Sequence, residues 1–177
     1  MTNKRFNLIV PVLMLVLVMA ALGACASSRQ YTVLNEPLAP DNRSAVVYFY
    51  DLSSTEAEIW DGEKPVGAFA GLPMSKAGCL QWQTTPGAHT FVARRTNNAH
   101  LKMNLQANRT YYIEVARIPS PIGTIVTLRE IDKEREEAIK RRYRLENITF
   151  SDEWRQDFAS QNNGKRLTDV RAYLASI

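Results

Sequence analysis

Hydrophobic and polar positions fall into distinct textures along the chain. Leu8 to Gly23 runs without one charged side chain and follows a short stretch holding Lys4 and Arg5. Ala26 to Arg43 carries Ser27, Ser28, Asn35, Pro37, Pro40, Asp41 and Asn42 with little periodicity, which is linker composition. From Ser44 to Ile131 short β-branched and aromatic runs alternate with turn residues, and from Asp132 onward the pattern becomes helical. The expected organisation is a leader over 1–24, a flexible tether over 25–43, a β domain over 44–131 and a helical C-terminal extension over 132–177.

Within the β region, Ala45 to Leu52 is apolar on both alternating faces, as expected of a central strand. Ala57 to Trp60 runs into Asp61-Gly62, a two-residue hairpin signal, and Val66 to Phe69 returns as its partner. Cys79 to Thr84 alternates, with Leu80 and Trp82 on one face and Gln81 and Gln83 on the other. Pro86-Gly87 makes the next turn, His89 to Arg95 the next strand, and Leu101, Met103 and Leu105 alternate with Lys102, Asn104 and Gln106. Thr110 to Ile118 places Tyr111, Ile113 and Val115 inward and Tyr112 and Glu114 outward, and Gly123 to Ile131 supplies a last strand. About seven or eight strands joined by tight turns predict a mainly β fold, an antiparallel β-sandwich with C-terminal α-helices. A small barrel is the alternative.

Asp132 to Arg144 holds acids early and bases late, matching a helix dipole, and Glu136 with Lys140 and Glu137 with Arg141 are favourably ordered pairs. Its basic end, Lys140, Arg141, Arg142 and Arg144, is a candidate contact for lipid phosphates or an acidic envelope polymer, although charge runs on helices are usually solvated faces. Ser151 is positioned to cap a helix through Gln161 that carries Trp154 and Phe158 one turn apart, with Asn162-Asn163-Gly164 ending it and Thr168 capping another through Ala175. The two aromatics either pack on the sandwich or mark a partner surface.

Charge and chemistry then narrow the function. The chain of 177 residues carries a formal charge of +4, which falls to +2 when Lys4 and Arg5 are set aside, too mild a balance to imply nucleic acid. There are two cysteines, Cys25 and Cys79, and no disulfide framework is expected. No Gly-x-Ser-x-Gly elbow, Walker loop, Cys-x-x-Cys or His-Glu-x-x-His helix occurs, so no cofactor, metal or catalytic residue is assigned. His89 and His100 fall in or beside strands, and Cys79 opens an apolar strand, where structural roles are the ordinary ones. A non-catalytic binding or structural module is expected, with a hydrolase of cell-wall or lipid substrate as the reading from another class.

The leader has the charged-then-apolar order of an export signal and ends in small residues rather than a basic stop. Leu22-Gly23-Ala24-Cys25 resembles the lipobox of bacterial lipoprotein precursors. That resemblance implies cleavage before Cys25, a diacylglyceryl group on its thiol and acylation of its amine, where two chains already suffice for stable anchoring. An uncleaved signal anchor is the alternative. Ala26 and Ser27 follow the cysteine with no Asp after it, and the resemblance to the lipoprotein sorting pattern then implies the outer membrane, facing the periplasm, with surface display as the alternative. Partners are thus a membrane, through lipid on Cys25, and an envelope protein or polymer; oligomeric state is left open. The runs Ala45-Val46-Val47-Tyr48-Phe49-Tyr50, Trp60-Asp61-Gly62 with Val66-Gly67, Pro86-Gly87-Ala88-His89 and Asn108-Arg109-Thr110-Tyr111-Tyr112 resemble a family of bacterial lipoprotein domains of unknown function. That family has a transthyretin-like or PEGA-like sandwich. The resemblance covers roughly Ser44 to Leu145, rests on structural segments, and expects a glycine where Asn108-Arg109 stands.

Overall fold

Seven consecutive buried residues, Ala45–Asp51, form strand β2, and the fold is arranged so that both of its faces are covered. A computed structural model describes residues 31–53, 55–69, 77–121 and 123–177. In chain order the strands are β1 (Thr32–Val33), β2, β3 (Glu58–Asp61), β4 (Lys64–Ala68), β5 (Ala77–Thr84), β6 (Gly87–Arg94), β7 (Asn98–Leu105), β8 (Thr110–Ser120), β9 (Gly123–Ile131) and β10 (Leu145–Thr149). Among the described residues three helices accompany them: α1 (Lys133–Arg142), α2 (Asp152–Ser160) and α3 (Lys165–Leu174). One sheet runs β1-β10-β5-β2-β8-β9 and the other β4-β3-β6-β7. The mainly β, sandwich-like architecture expected from the alternation is what forms, as two packed sheets rather than a barrel.

Between the sheets, Ala45, Val47, Phe49, Leu80, Ile113, Val115 and Ile148 of the first meet Ile59, Val66, Phe91, Ala93 and Leu105 of the second. The Phe49 and Phe91 rings cross edge to face at 5.3 Å. This interdigitation of two inner faces is the usual core of a sandwich. The outer face of β2 presents Val46, Tyr48 and Tyr50, which α1 covers with Ile139. On the far side, Trp60 and Val92 are covered by Phe158 of α2 and Val170 of α3. The helices are therefore outer layers, one against each sheet, and Tyr112 and Glu114 lie on the covered face: Glu114 is buried, and Tyr112 packs against the cluster beneath α1.

Most ladders are antiparallel, but β2 pairs parallel with β8 and β10 pairs parallel with β5. Strand β10 lies inside the helical C-terminal extension expected over 132–177, between its first two helices. It holds one buried side chain, Ile148, amid polar and half-buried neighbours, so the sequence lacks the alternation that reveals a strand. The segment read as flexible tether is, from Tyr31 on, held against the domain. The Tyr31 ring meets Phe150 edge-on at 6.2 Å, Thr32 and Val33 pair with Thr149 and Ile148, and the Leu34 N–H donates to the Asn147 carbonyl at 2.9 Å. Further on, Leu38 donates to Gln81 and accepts from the Tyr48 hydroxyl. Such single-residue attachments leave no periodicity to read.

Local chemistry accounts for the turns and caps. Asn108 takes the position where glycine was expected; it adopts φ +57°, and its N–H donates to Asp41 and Ser44 carbonyls. Asparagine is the side chain other than glycine that tolerates this region best. Gly67 is needed for a different reason, since a Cβ there would stand 2.5 Å from the Phe150 ring and 2.9 Å from Leu80. Asp132 and Ser151 cap α1 and α2 by accepting from the Arg135 and Trp154 amides. Thr168 does not cap the last helix. Asn162, Asn163 and Gly164 all take positive φ and reverse the chain, so α3 starts at Lys165 and the Thr168 hydroxyl donates back to the Gly164 carbonyl at 3.1 Å.

Candidate functional site

The outer face of the first sheet carries a buried polar cluster that fixes α1. Alternation in β2 sends Tyr48 and Tyr50 to this face, beside Cys79 of β5 and Tyr112 of β8. The Tyr48 and Tyr112 rings stack at 5.7 Å. Glu136 projects into the cluster from the stripe of α1 that also buries Ile139. The Tyr50 hydroxyl donates to Glu136 at 2.9 Å, and Lys140, one helical turn on, pairs with the same carboxylate. Burial pushes the Cys79 thiol up to about 12, and likewise the Tyr48 phenol up to about 12. The thiol is thus an inert small hydrophobe at this position. Gln81, also fully buried, accepts from Leu38 with its oxygen, while its amide nitrogen has no partner among the described residues.

Held this way, α1 delivers its basic end to the sheet edge. The four bases singled out from sequence have different fates. Lys140 is matched by Glu136, and Arg141 stands 3.9 Å from Glu137. Arg142 lies over the Tyr143 ring at 5.5 Å, and Arg144 is exposed; among the described residues neither has a carboxylate at ion-pair distance. Tyr143 ends the helix in an extended conformation and so turns the chain directly into β10. Arg142, Tyr143 and Arg144 line a groove of about 620 Å³, together with Val33 and Leu34 of the β1 segment and Glu146 of β10.

Trp154 and Phe158 pack onto the sandwich, the first of the two placements expected for them. They stack on one another at 4.4 Å, Trp154 lies 4.2 Å from Phe150, and Phe158 reaches Trp60 at 6.0 Å. Phe158 is buried and Trp154 half-buried, because the apolar face of α2 is consumed in covering the second sheet. Cys25 lies outside the described residues.

The structure also assembles a set that sequence reasoning missed. Asp61, in the β3 turn, accepts from Trp82 Nε1 at 3.0 Å and contacts His89 Nδ1 at 2.8 Å. His89 Nε2 faces the Thr85 carbonyl at 2.8 Å, so both ring nitrogens are engaged with oxygens of the fold. These two contacts tie the ring to the end of β3 and to the turn before β6. His100 Nδ1 contacts the Tyr173 hydroxyl at 3.0 Å and helps seat α3. Asp61 and His89 are joined through the β3–β6 ladder, and nothing in their spacing announces it. The Tyr50–Glu136 contact did leave a signal: an acid on the apolar stripe of α1, opposite a strand with tyrosines on its second face.

Among the described residues no group of three or more His, Cys, Asp or Glu is placed to hold a metal, and no helix is long and apolar enough to cross a membrane. No family model, curated protein or solved structure matches this chain.

Proposed function

We propose that this chain is a lipid-anchored cell-envelope lipoprotein, carried on acyl chains at Cys25 at the outer membrane and facing the periplasm. On this reading the sandwich is a non-catalytic binding or structural module for an envelope protein or polymer. The observation that carries the reading is Leu22-Gly23-Ala24-Cys25 behind an uncharged apolar run, a few residues in sequence ahead of Tyr31, which packs on Phe150 of the β domain. A diacylglyceryl group on that thiol would supply the membrane attachment, at about 0.8 kcal/mol per buried CH₂. Support for a non-catalytic role comes from the engaged nitrogens of His89 and the buried Cys79, the groups best suited to acid-base or nucleophilic work.

Intact mass and membrane fractionation of the protein from its host, with Cys25→Ala alongside, test the anchor. Loss of residues 1–24 with gain of acyl mass in wild type, and a soluble or unprocessed variant, is the expected result. Equal membrane association of both proteins with the full N-terminus retained overturns it.

A further inference from the structure

The β1 segment and the basic end of α1 share one groove. Val33 and Leu34 line it together with Arg142, Tyr143 and Arg144. Val33 is one of few large apolar side chains left exposed among the described residues, at 38 %. Lys140 and Arg141 are already matched by acids, so the uncompensated charge at this edge belongs to Arg142 and Arg144. Glu146, an acid in the lining, is half-buried and is not free. From Cys25 to Tyr31 the chain advances six residues, an extended reach of at most about 20 Å.

We propose that this edge is the membrane-facing surface of the domain, with Arg142 and Arg144 binding the phosphates of anionic phospholipid headgroups and Val33 entering the interface. The proposal rests on the lipid-anchor reading. A short leash ending beside β1 keeps this edge near the bilayer, and an apolar side chain beside two arginines and a tyrosine suits the headgroup boundary. Each base near an anionic surface strengthens the contact by about fivefold, and salt screens it beyond about 10 Å.

The test uses the acylated protein reconstituted into phosphatidylcholine vesicles with or without phosphatidylglycerol. Val33→Cys carries an environment-sensitive fluorophore, and Asn104→Cys, exposed on β7 of the other sheet, serves as reference. Buried Cys79 does not compete for the label. The expected result is quenching of the position-33 probe by headgroup-labelled lipid in phosphatidylglycerol vesicles, with the position-104 probe unaffected. Arg142→Gln with Arg144→Gln reduces that quenching at least fivefold at low salt, and the two Arg→Lys changes restore it. Equal quenching at both positions, or quenching at 33 indifferent to phosphatidylglycerol and to the Gln pair, overturns the proposal. Intact mass of the same sample separates the two failures. Absence of acyl mass defeats the anchor reading and the orientation with it, whereas acylated protein without position-33 quenching defeats the orientation alone.

Discussion

Lys140→Ala probes the seat of α1. The Glu136 side chain is 3 % exposed, and its charge is met by Lys140 and by the Tyr50 hydroxyl. Removing one partner of a fully buried pair costs about 3–5 kcal/mol, because the other charge is left uncompensated. Here the lysine side chain is 56 % exposed, so water enters where the ammonium stood. Screening of that kind lowers the expected loss to about 2 kcal/mol. The combination Tyr50→Phe, Glu136→Leu and Lys140→Ala removes every polar member of the contact and leaves an apolar face beside Cys79 and Ile139. Replacing a buried pair by packed hydrophobes is often neutral, so the triple variant should lie within about 1 kcal/mol of wild type. Urea unfolding followed by tryptophan fluorescence measures both, with an unchanged m-value required for the comparison. At this size about 2 kcal/mol also lowers the melting temperature by roughly 4–8 °C. A Lys140→Ala protein as stable as wild type, or a triple variant less stable than the single one, refutes the reasoning.

Gly67→Ala should destabilise by about 1–3 kcal/mol, since the new methyl group meets Phe150 and Leu80 in a filled core. Thermal unfolding measures the loss, and Phe150→Leu in the same chain should recover part of it. For Glu114, burial opposes the charge, but the guanidinium groups of Arg129 and Arg135 outweigh it and hold the carboxyl below the usual range. Its stabilisation is therefore complete above the unfolded-state value near about 4.3 and is lost as pH falls through the lower native value. Glu114→Gln should cost about 1 kcal/mol at neutral pH, discounted for the exposure of both arginines, and the gap to wild type should close in acid. Urea midpoints at a series of pH values read this directly, and a gap that widens in acid contradicts the sign.

What could be read from sequence were the features encoded by near neighbours. The two apolar faces of β2 announced a central strand covered on both sides, and the charge order of α1 and the Ser151 cap of α2 announced helices. The α2 aromatics were legible as a packing face only in part, since burial depends on Trp60 arriving from β3. Features set by distant partners left no such mark. Leu145–Thr149 is a strand because β5 and β1 flank it, and Tyr31 to Leu38 is fixed by isolated contacts with Phe150, Asn147 and Gln81. The Asp61–His89 contact bridges two strands brought together by the ladder, and the separation of paired from unpaired bases at the end of α1 depends on which acids face them.

The place of β10 between β1 and β5 has a consequence for the order of assembly. A chain made from its N-terminus produces Thr32 and Val33 first, yet their ladder partners Thr149 and Ile148 come after the rest of the strands. The edge of β5 is equally unfilled until Leu145 to Ile148 are in place. The earliest strand is thus among the last to be paired. Until then β5 offers a bare row of backbone donors and acceptors, which is the interval in which a nascent chain is open to pairing with a neighbour or to capture by a chaperone.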